Sequence, residues 1–146
     1  MSATLRLTTP GLDAALARLA RLSSFEMASL ADAAGALLES GARGRMISKE
    51  APDGTPWADW SIGYAATRGE QHSLLVNEGD LTDSLASYAT GDEVHVGSNL
   101  IYAAHHQIGG AEIGSGLPAR PYLGLSPEDA IDLRDLVTGT LEGLFS

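Results

Sequence analysis

Two stretches of helical periodicity enclose a centre broken by turn signals, and that arrangement limits what this chain can fold into. From Leu12 to Leu22 the apolar positions Leu12, Leu16, Leu19 and Ala20 recur three and four residues apart, which predicts an amphipathic helix of about three turns. Ser23 and Glu26 have the spacing of a capping box and predict a break there, followed by a second helix. Its buried side is expected to carry Met27, Leu30, Ala34, Leu37, Leu38 and Met46, with Gly41 and Gly44 weakening its end. At the other end of the chain, Ser126-Pro127-Glu128-Asp129 combines an N-cap hydroxyl, a first-turn proline and first-turn acids. The helix it opens has Leu133, Leu136, Val137, Thr140, Leu141 and Leu144 as its expected buried face.

Between these ends the pattern changes. Residues 50–73 form a loop with Pro52, Asp53-Gly54, Pro56 and both tryptophans, Trp57 and Trp60. Leu74–Val76, a run from Leu81 through Ala89, and Glu93–Gly97 are expected to make an antiparallel meander, turning at Gly79-Asp80 and Gly91-Asp92. Tyr102–Ile108 can form a short helix, and residues 109–118 a glycine-rich loop. Ala119–Gly124 should be extended, because Pro118 and Pro121 each disfavour helix for the residue before them. Ala3–Thr9 alternates like a half-buried strand. Together these place helices at both ends of one domain over residues 1–146, with a small antiparallel sheet between them and long loops at about 50–73 and 109–118.

Charge narrows the function. Nine basic and nineteen acidic residues leave a net charge of −10, which argues against a broad basic surface that grips nucleic acid. Hydrophobic content of 44% with 19% charged residues excludes wholesale disorder. The charges are segregated: residues 1–49 hold six basic and four acidic groups, 6 − 4 = +2, and residues 50–146 hold three and fifteen, 3 − 15 = −12. Such a chain suits head-to-tail or ring assembly, the alternative being a solvated acidic surface. Arg43, Arg45 and Lys49 complement the negative end of the second helix's dipole, or dock an acidic neighbour. In the last helix Glu128, Asp132, Asp135 and Glu142 line one flank, a repulsive row that would suit a conduit to which DNA must not stick, the alternative being a solvent-exposed face with no role. No apolar run approaches the roughly 18 residues of a membrane span, and no leader pattern precedes Pro10, so the cytosol is the expected site of synthesis.

A search for chemistry finds little. Cysteine is absent, which excludes disulfides, thiolate metal sites and cysteine nucleophiles. His105 and His106 are adjacent, so on a helix they point about 100° apart and cannot chelate one ion as an i,i+4 pair does. Gly114-Ser115-Gly116 lacks the strand-turn-helix setting of a nucleophile elbow, and no phosphate-cradling glycine loop is present. No catalytic residue, cofactor or metal ligand is assigned. The two clustered tryptophans read as a lid on the core or an anchor for a partner.

The informative signal is a series of motifs in order: Pro52-x-Gly54-x-x-Trp57, Leu75-Val76-x-x-Gly79-x-Leu81-x-x-Ser84, Val94-x-Val96-Gly97, Tyr102-Ala103-x-x-His106-Gln107-x-Gly109 and Pro118-Ala119-Arg120-Pro121-Tyr122-Leu123-Gly124. Over roughly residues 12–140 the chain resembles the tailed-phage virion morphogenesis family, which includes P2-like tail completion proteins and Mu G-like proteins. It is also distantly similar to siphophage neck and tail-completion proteins. Tyr122 stands where phenylalanine is common, and His105 falls outside the pattern.

The resemblance implies a structural virion protein, not an enzyme. It would be an α+β domain, its N-terminal helices and C-terminal helix packed on a small antiparallel sheet, assembling as a ring, a hexamer, at the head-tail junction or head-proximal tail end, completing or terminating the tail and enabling head-tail joining. Implied partners are further copies of itself, the tail tube protein and neck or connector proteins, with DNA only as cargo and no membrane. Trp57, Trp60, Tyr102, His106, Gln107, Arg120 and Tyr122 are then expected at subunit or partner contacts, and Glu128, Asp132, Asp135 and Glu142 along the lumen. Arg120 could pair across the ring with Asp80 or Asp92, or hold its own Pro118–Pro121 segment through an intrachain contact. The competing readings are a small metal-dependent hydrolase using His105 or His106, and a monomeric assembly adaptor.

Overall fold

One long helix carries the other elements. The computed structural model describes residues 10–91 and 93–145; the strand expected over Ala3–Thr9 lies outside them. In chain order the helices are α1 (Leu12–Ser23), α2 (Met27–Ser48), α3 (Ile62–Ala65) and α4 (Asp80–Ser84), then strands β1 (Ala86–Thr90) and β2 (Glu93–Gly97), then α5 (Ala103–Ile108), a 3-10 turn (Ala111–Ile113) and α6 (Pro127–Phe145). The strands pair antiparallel as a hairpin, with Ala86 opposite Gly97 and Thr90 opposite Glu93. Helix α2 packs against both strands and against α6, and α6 in turn supports α1. The fold is α+β, with helices at both ends of the chain and a small antiparallel sheet. The C-terminal helix meets the sheet side of the molecule through α2.

Small residues make this possible. The buried positions of α2 are Ala31, Gly35, Ala42, Arg45 and Met46. This face is offset from the expected one: Met27 is exposed, and Leu30, Ala34, Leu37 and Leu38 are half-buried. Neighbours sit too close for large side chains there. A Cβ on Gly35 would lie 3.1 Å from Ser87 Cβ and Val94 Cγ1, and one on Gly41 would lie 2.5 Å from Asp129 Oδ1. Six residues separate these two glycines, so the hairpin and α6 meet α2 on flanks about 120° apart.

Three local expectations are corrected. The Ser23–Glu26 capping box does not form: Ser23 is the last residue of α1 and its hydroxyl donates to the Ala20 carbonyl, while Glu26 precedes α2 without a side-chain cap. The expected three-stranded meander is a two-stranded hairpin. Leu74–Val76 is a tight turn in which Ser73 and Val76 exchange both backbone hydrogen bonds, and Asp80–Ser84 is a helix. Gly79, at φ +93°, starts that helix in a conformation other residues rarely adopt. Asp80 and Asp83 then lie at its positive end, and the i,i+4 pair Leu81 and Leu85 is buried. In α6, Leu133, Leu136, Thr140 and Leu144 are half-buried as expected, whereas Val137 and Leu141 are exposed.

The core lies beneath the C-terminal half of α2, where Ala42, Met46, Trp57, Leu81, Leu85, Ala103 and Tyr122 converge. Trp57 therefore belongs to the core.

The close approach at Gly41 predicts a contrast within one helix. Gly41→Ala should lower stability by about 1–3 kcal/mol, because a pinned carboxylate must move. Gly44→Ala, facing open space, should raise it by up to about 1 kcal/mol through helix propensity. Urea denaturation of the two variants checks both signs.

Candidate functional site

The segment 118–124 runs extended, as its prolines require, yet it joins no sheet. Side chains from three directions satisfy its backbone instead. Trp57 Nε1 donates to the Pro121 carbonyl at 2.8 Å, Arg45 Nε to Tyr122 at 2.8 Å, Gln107 Nε2 to Leu123 at 3.0 Å and Arg45 Nη2 to Gly124 at 3.0 Å. The amides of Tyr122 and Leu123 both donate to Gln107 Oε1, and that of Arg120 donates to the His106 carbonyl. The Tyr122 ring is buried and its hydroxyl donates to the Ala103 carbonyl; burial pushes its pKa up.

The same Arg45 closes the contact between α2 and α6. Its Nη1 donates to Asp129 Oδ2 at 2.9 Å, and both side chains are buried. Asp129 also completes a reciprocal cap: its amide donates to Ser126 Oγ, and its carboxylate accepts from the Ser126 amide. Burial pushes the Asp129 pKa up, but the Ser126 hydrogen bonds and Arg45 outweigh it and hold the carboxyl below its usual range. The other two cations of α2 also have partners within the chain. Arg43 binds Glu39 and donates to the Leu85 carbonyl beyond the end of α4, and Lys49 Nζ donates to the Leu74 carbonyl. Arg45 and Lys49 stand at the C-terminal end of α2 as the dipole reading has them, and all three cations also make specific contacts within the chain.

Arg120 is buried, and Nε and Nη2 donate to the Ala58 and Asp59 carbonyls at 2.8 and 3.1 Å. This is the intrachain contact expected of it, with the guanidinium pinning the tryptophan loop. Beyond that clamp opens a cleft of about 660 Å³, to which Trp60, Tyr64, Tyr102, His106 and Arg120 contribute. Trp60 and Tyr64 meet edge to face, Arg68 stacks 4.7 Å over the Tyr64 ring, and Tyr102 meets His106 edge to face. His106 is half-buried, with Nδ1 lacking a hydrogen-bond partner. Burial, then the nearby charges of Arg120 and His105, hold its pKa below the usual range. Among the described residues no group of three histidines, aspartates or glutamates is placed to hold a metal ion.

The seven residues expected at contacts thus divide. Trp57, Gln107, Arg120 and Tyr122 fasten the interior, while Trp60, Tyr102 and His106 reach the cleft. Glu128, Asp132, Asp135 and Glu142 are all exposed on one flank of α6. Sequence reasoning passed over a further surface. No residue of α1 is buried, and Leu12, Leu16, Leu19 and Leu22 remain 41–58% exposed. On the adjoining helix Val137, Leu141 and Phe145 are exposed as well. The periodicity of α1 signalled an apolar face, though not that it would stay uncovered.

Residues 7–142 match the model of the phage virion morphogenesis family. Protein G of Escherichia phage Mu, named for capsid assembly, is 34% identical over 112 residues, 71% of this chain and 72% of that protein. The Mu-like prophage FluMu G protein 2 of Haemophilus influenzae is 42% identical over 67 residues, 43% of this chain and 48% of its own. No solved structure matches the chain.

Two outcomes follow from the buried guanidinium groups. Because the folded pKa of Asp129 is depressed, its contribution is fully present above the unfolded value of 3.8 and is lost as pH falls through the folded pKa. Asp129→Asn should cost about 3–5 kcal/mol near neutrality and flatten the acid limb of stability below about pH 4, measured by urea denaturation across pH. Arg120→Ala should release the tryptophan loop at a cost of about 2 kcal/mol, with red-shifted tryptophan emission as the readout.

Proposed function

Since this chain belongs to the phage virion morphogenesis family, whose members serve in virion assembly, we propose that it is a structural protein closing into a hexameric ring at the head-tail junction or head-proximal end of the tail. There it completes the tail and lets the filled head join. Its partners are further copies of itself, the tail tube protein below and the neck or connector proteins above. Its place is the virion, reached from the host cytoplasm during assembly.

The observation that carries this reading is the carboxylate row of α6. Glu128, Asp132, Asp135 and Glu142 are exposed on one flank, and among the described residues none has an ion-pair partner. Like charges at these spacings cost a few tenths of a kcal/mol per pair. A row of this kind suits a channel wall along which DNA slides without adhering. No helix among the described residues is long and apolar enough to cross a membrane, and the reading requires no reaction, metal or cofactor.

Native mass spectrometry and negative-stain imaging across a concentration series, alone and with purified tails, should reveal rings with a central hole. A monomer under every one of these conditions overturns the ring. Replacing all four carboxylates with lysine should leave ring mass unchanged and lower infectivity at the step of DNA passage; unchanged infectivity sinks the lumen assignment.

A further inference from the structure

The cleft sorts its charges by depth. Its acids, Asp59, Glu78 and Asp80, are all exposed, whereas its basic side chains are held further in: Arg68, His72 and His106 are half-buried and Arg120 is only 5% exposed. Two of these bases have donors to spare. Arg120 spends Nε and Nη2 on the Ala58 and Asp59 carbonyls, and Nη1 is left without a hydrogen-bond partner among the described residues. Unlike the orphaned Nδ1 of His106, it is not sealed off. His72 Nδ1 accepts from the Gly69 amide at 3.0 Å, so the proton of its neutral ring sits on Nε2, where it has no partner either. His106 stands beside Arg120, and the charges it senses are those of Arg120 and His105, with no carboxylate among them.

We propose that this part of the cleft binds a carboxylate carried on an aromatic or aliphatic group, with the unused donors of Arg120 as its anchor. The site goes beyond the assembly reading and does not depend on it. A guanidinium withdrawn from water with donors unmet carries a desolvation cost that an anion relieves, and its planar fork matches a carboxylate. Depth decides which of the cleft's charges governs the choice of ligand. A charge pair removed from solvent interacts several times more strongly than one in water, while the exposed acids are screened by water and salt. The buried cation therefore outweighs acids that are more numerous but more accessible.

The shape selects more than a bare ion. A volume of about 660 Å³ falls within the roughly 300–1,000 Å³ of small-molecule sites. Trp60 and Tyr64, edge to face at 5.9 Å, and the ring of Tyr102 give it apolar walls. A ring or alkyl chain attached to the carboxylate has surface to bury there, which acetate does not.

The two tryptophans provide an internal reference for the test, since Trp57 donates its indole N–H to Pro121 within the core while Trp60 lines the cleft. Titrating isotope-labelled protein with phenylpropionate should shift the Trp60 indole and Arg120 Nε resonances saturably and move the Trp57 indole less, with Trp60→Phe assigning the indole peaks. The uncharged phenylpropionamide should bind at least about tenfold more weakly. Equal affinity for acid and amide overturns the carboxylate. Movement of neither resonance, or of Trp57 alone, overturns the site. A capped Phe-Glu-Phe peptide, compared with its Gln counterpart, then distinguishes the source. Binding tighter than that of phenylpropionate assigns the carboxylate to an acidic residue of another chain, and binding no tighter assigns it to a free organic acid. Because binding is read on the isolated protein, its outcome is separate from whether the subunit closes into a ring.

Discussion

The guanidinium of Arg45 is the joint from which the rest of the structure takes its positions. It reaches the Tyr122 and Gly124 carbonyls and the Asp129 carboxylate at once, so α2, the extended segment and the start of α6 meet at one planar group. A buried ion pair contributes little net stability against an apolar alternative, since desolvating two charges offsets most of their attraction. What it contributes is position. A guanidinium has a fixed fork of donors, and only one placement of α6 and of residues 122–124 satisfies all three. Gly41, one turn earlier on α2, leaves the space that the carboxylate needs.

Much of the frame was legible because it follows local rules. The two terminal helical regions have clear 3.6-residue periodicity, Ser126-Pro127-Glu128-Asp129 starts α6 as its chemistry dictates, and the prolines keep 118–124 extended. The failures share a cause, which is that tertiary partners decided what local pattern could not. The buried face of α2 contains small residues and an arginine, so a search for large apolar side chains found its flanks. Leu81 and Leu85 fit a strand reading until Gly79 and two carboxylates set a helix start. Arg45 was read as complementing a dipole because its partner lies 84 residues away. Ser23 offered a capping hydroxyl that its own helix used first.

The motifs by which the family is recognised describe the inside of the molecule more than its contacts. Trp57, Gln107, Arg120 and Tyr122 direct polar atoms to backbone groups of segments distant in sequence. Ser84 bonds locally instead, to the Leu81 carbonyl of its own helix and to the Ser98 hydroxyl. The exposed surfaces, by contrast, contain the leucines of α1, Ile62 and Ile101, and the acids of α6, all outside the motif series. A motif series can therefore identify the frame and remain silent about what the frame presents.

That division has a physical consequence for assembly. The clamps around residues 118–124 and the tryptophan loop fix one wall of the cleft, so little ordering entropy would be lost there on binding. Helix α1 is the opposite case. A helix of twelve residues is marginal by itself, and this one buries no side chain and packs chiefly on α6. Its local stability must lie near the low end of the range found within a folded protein. Covering its leucines would stabilise the helix, so for this face association and local folding would be a single event.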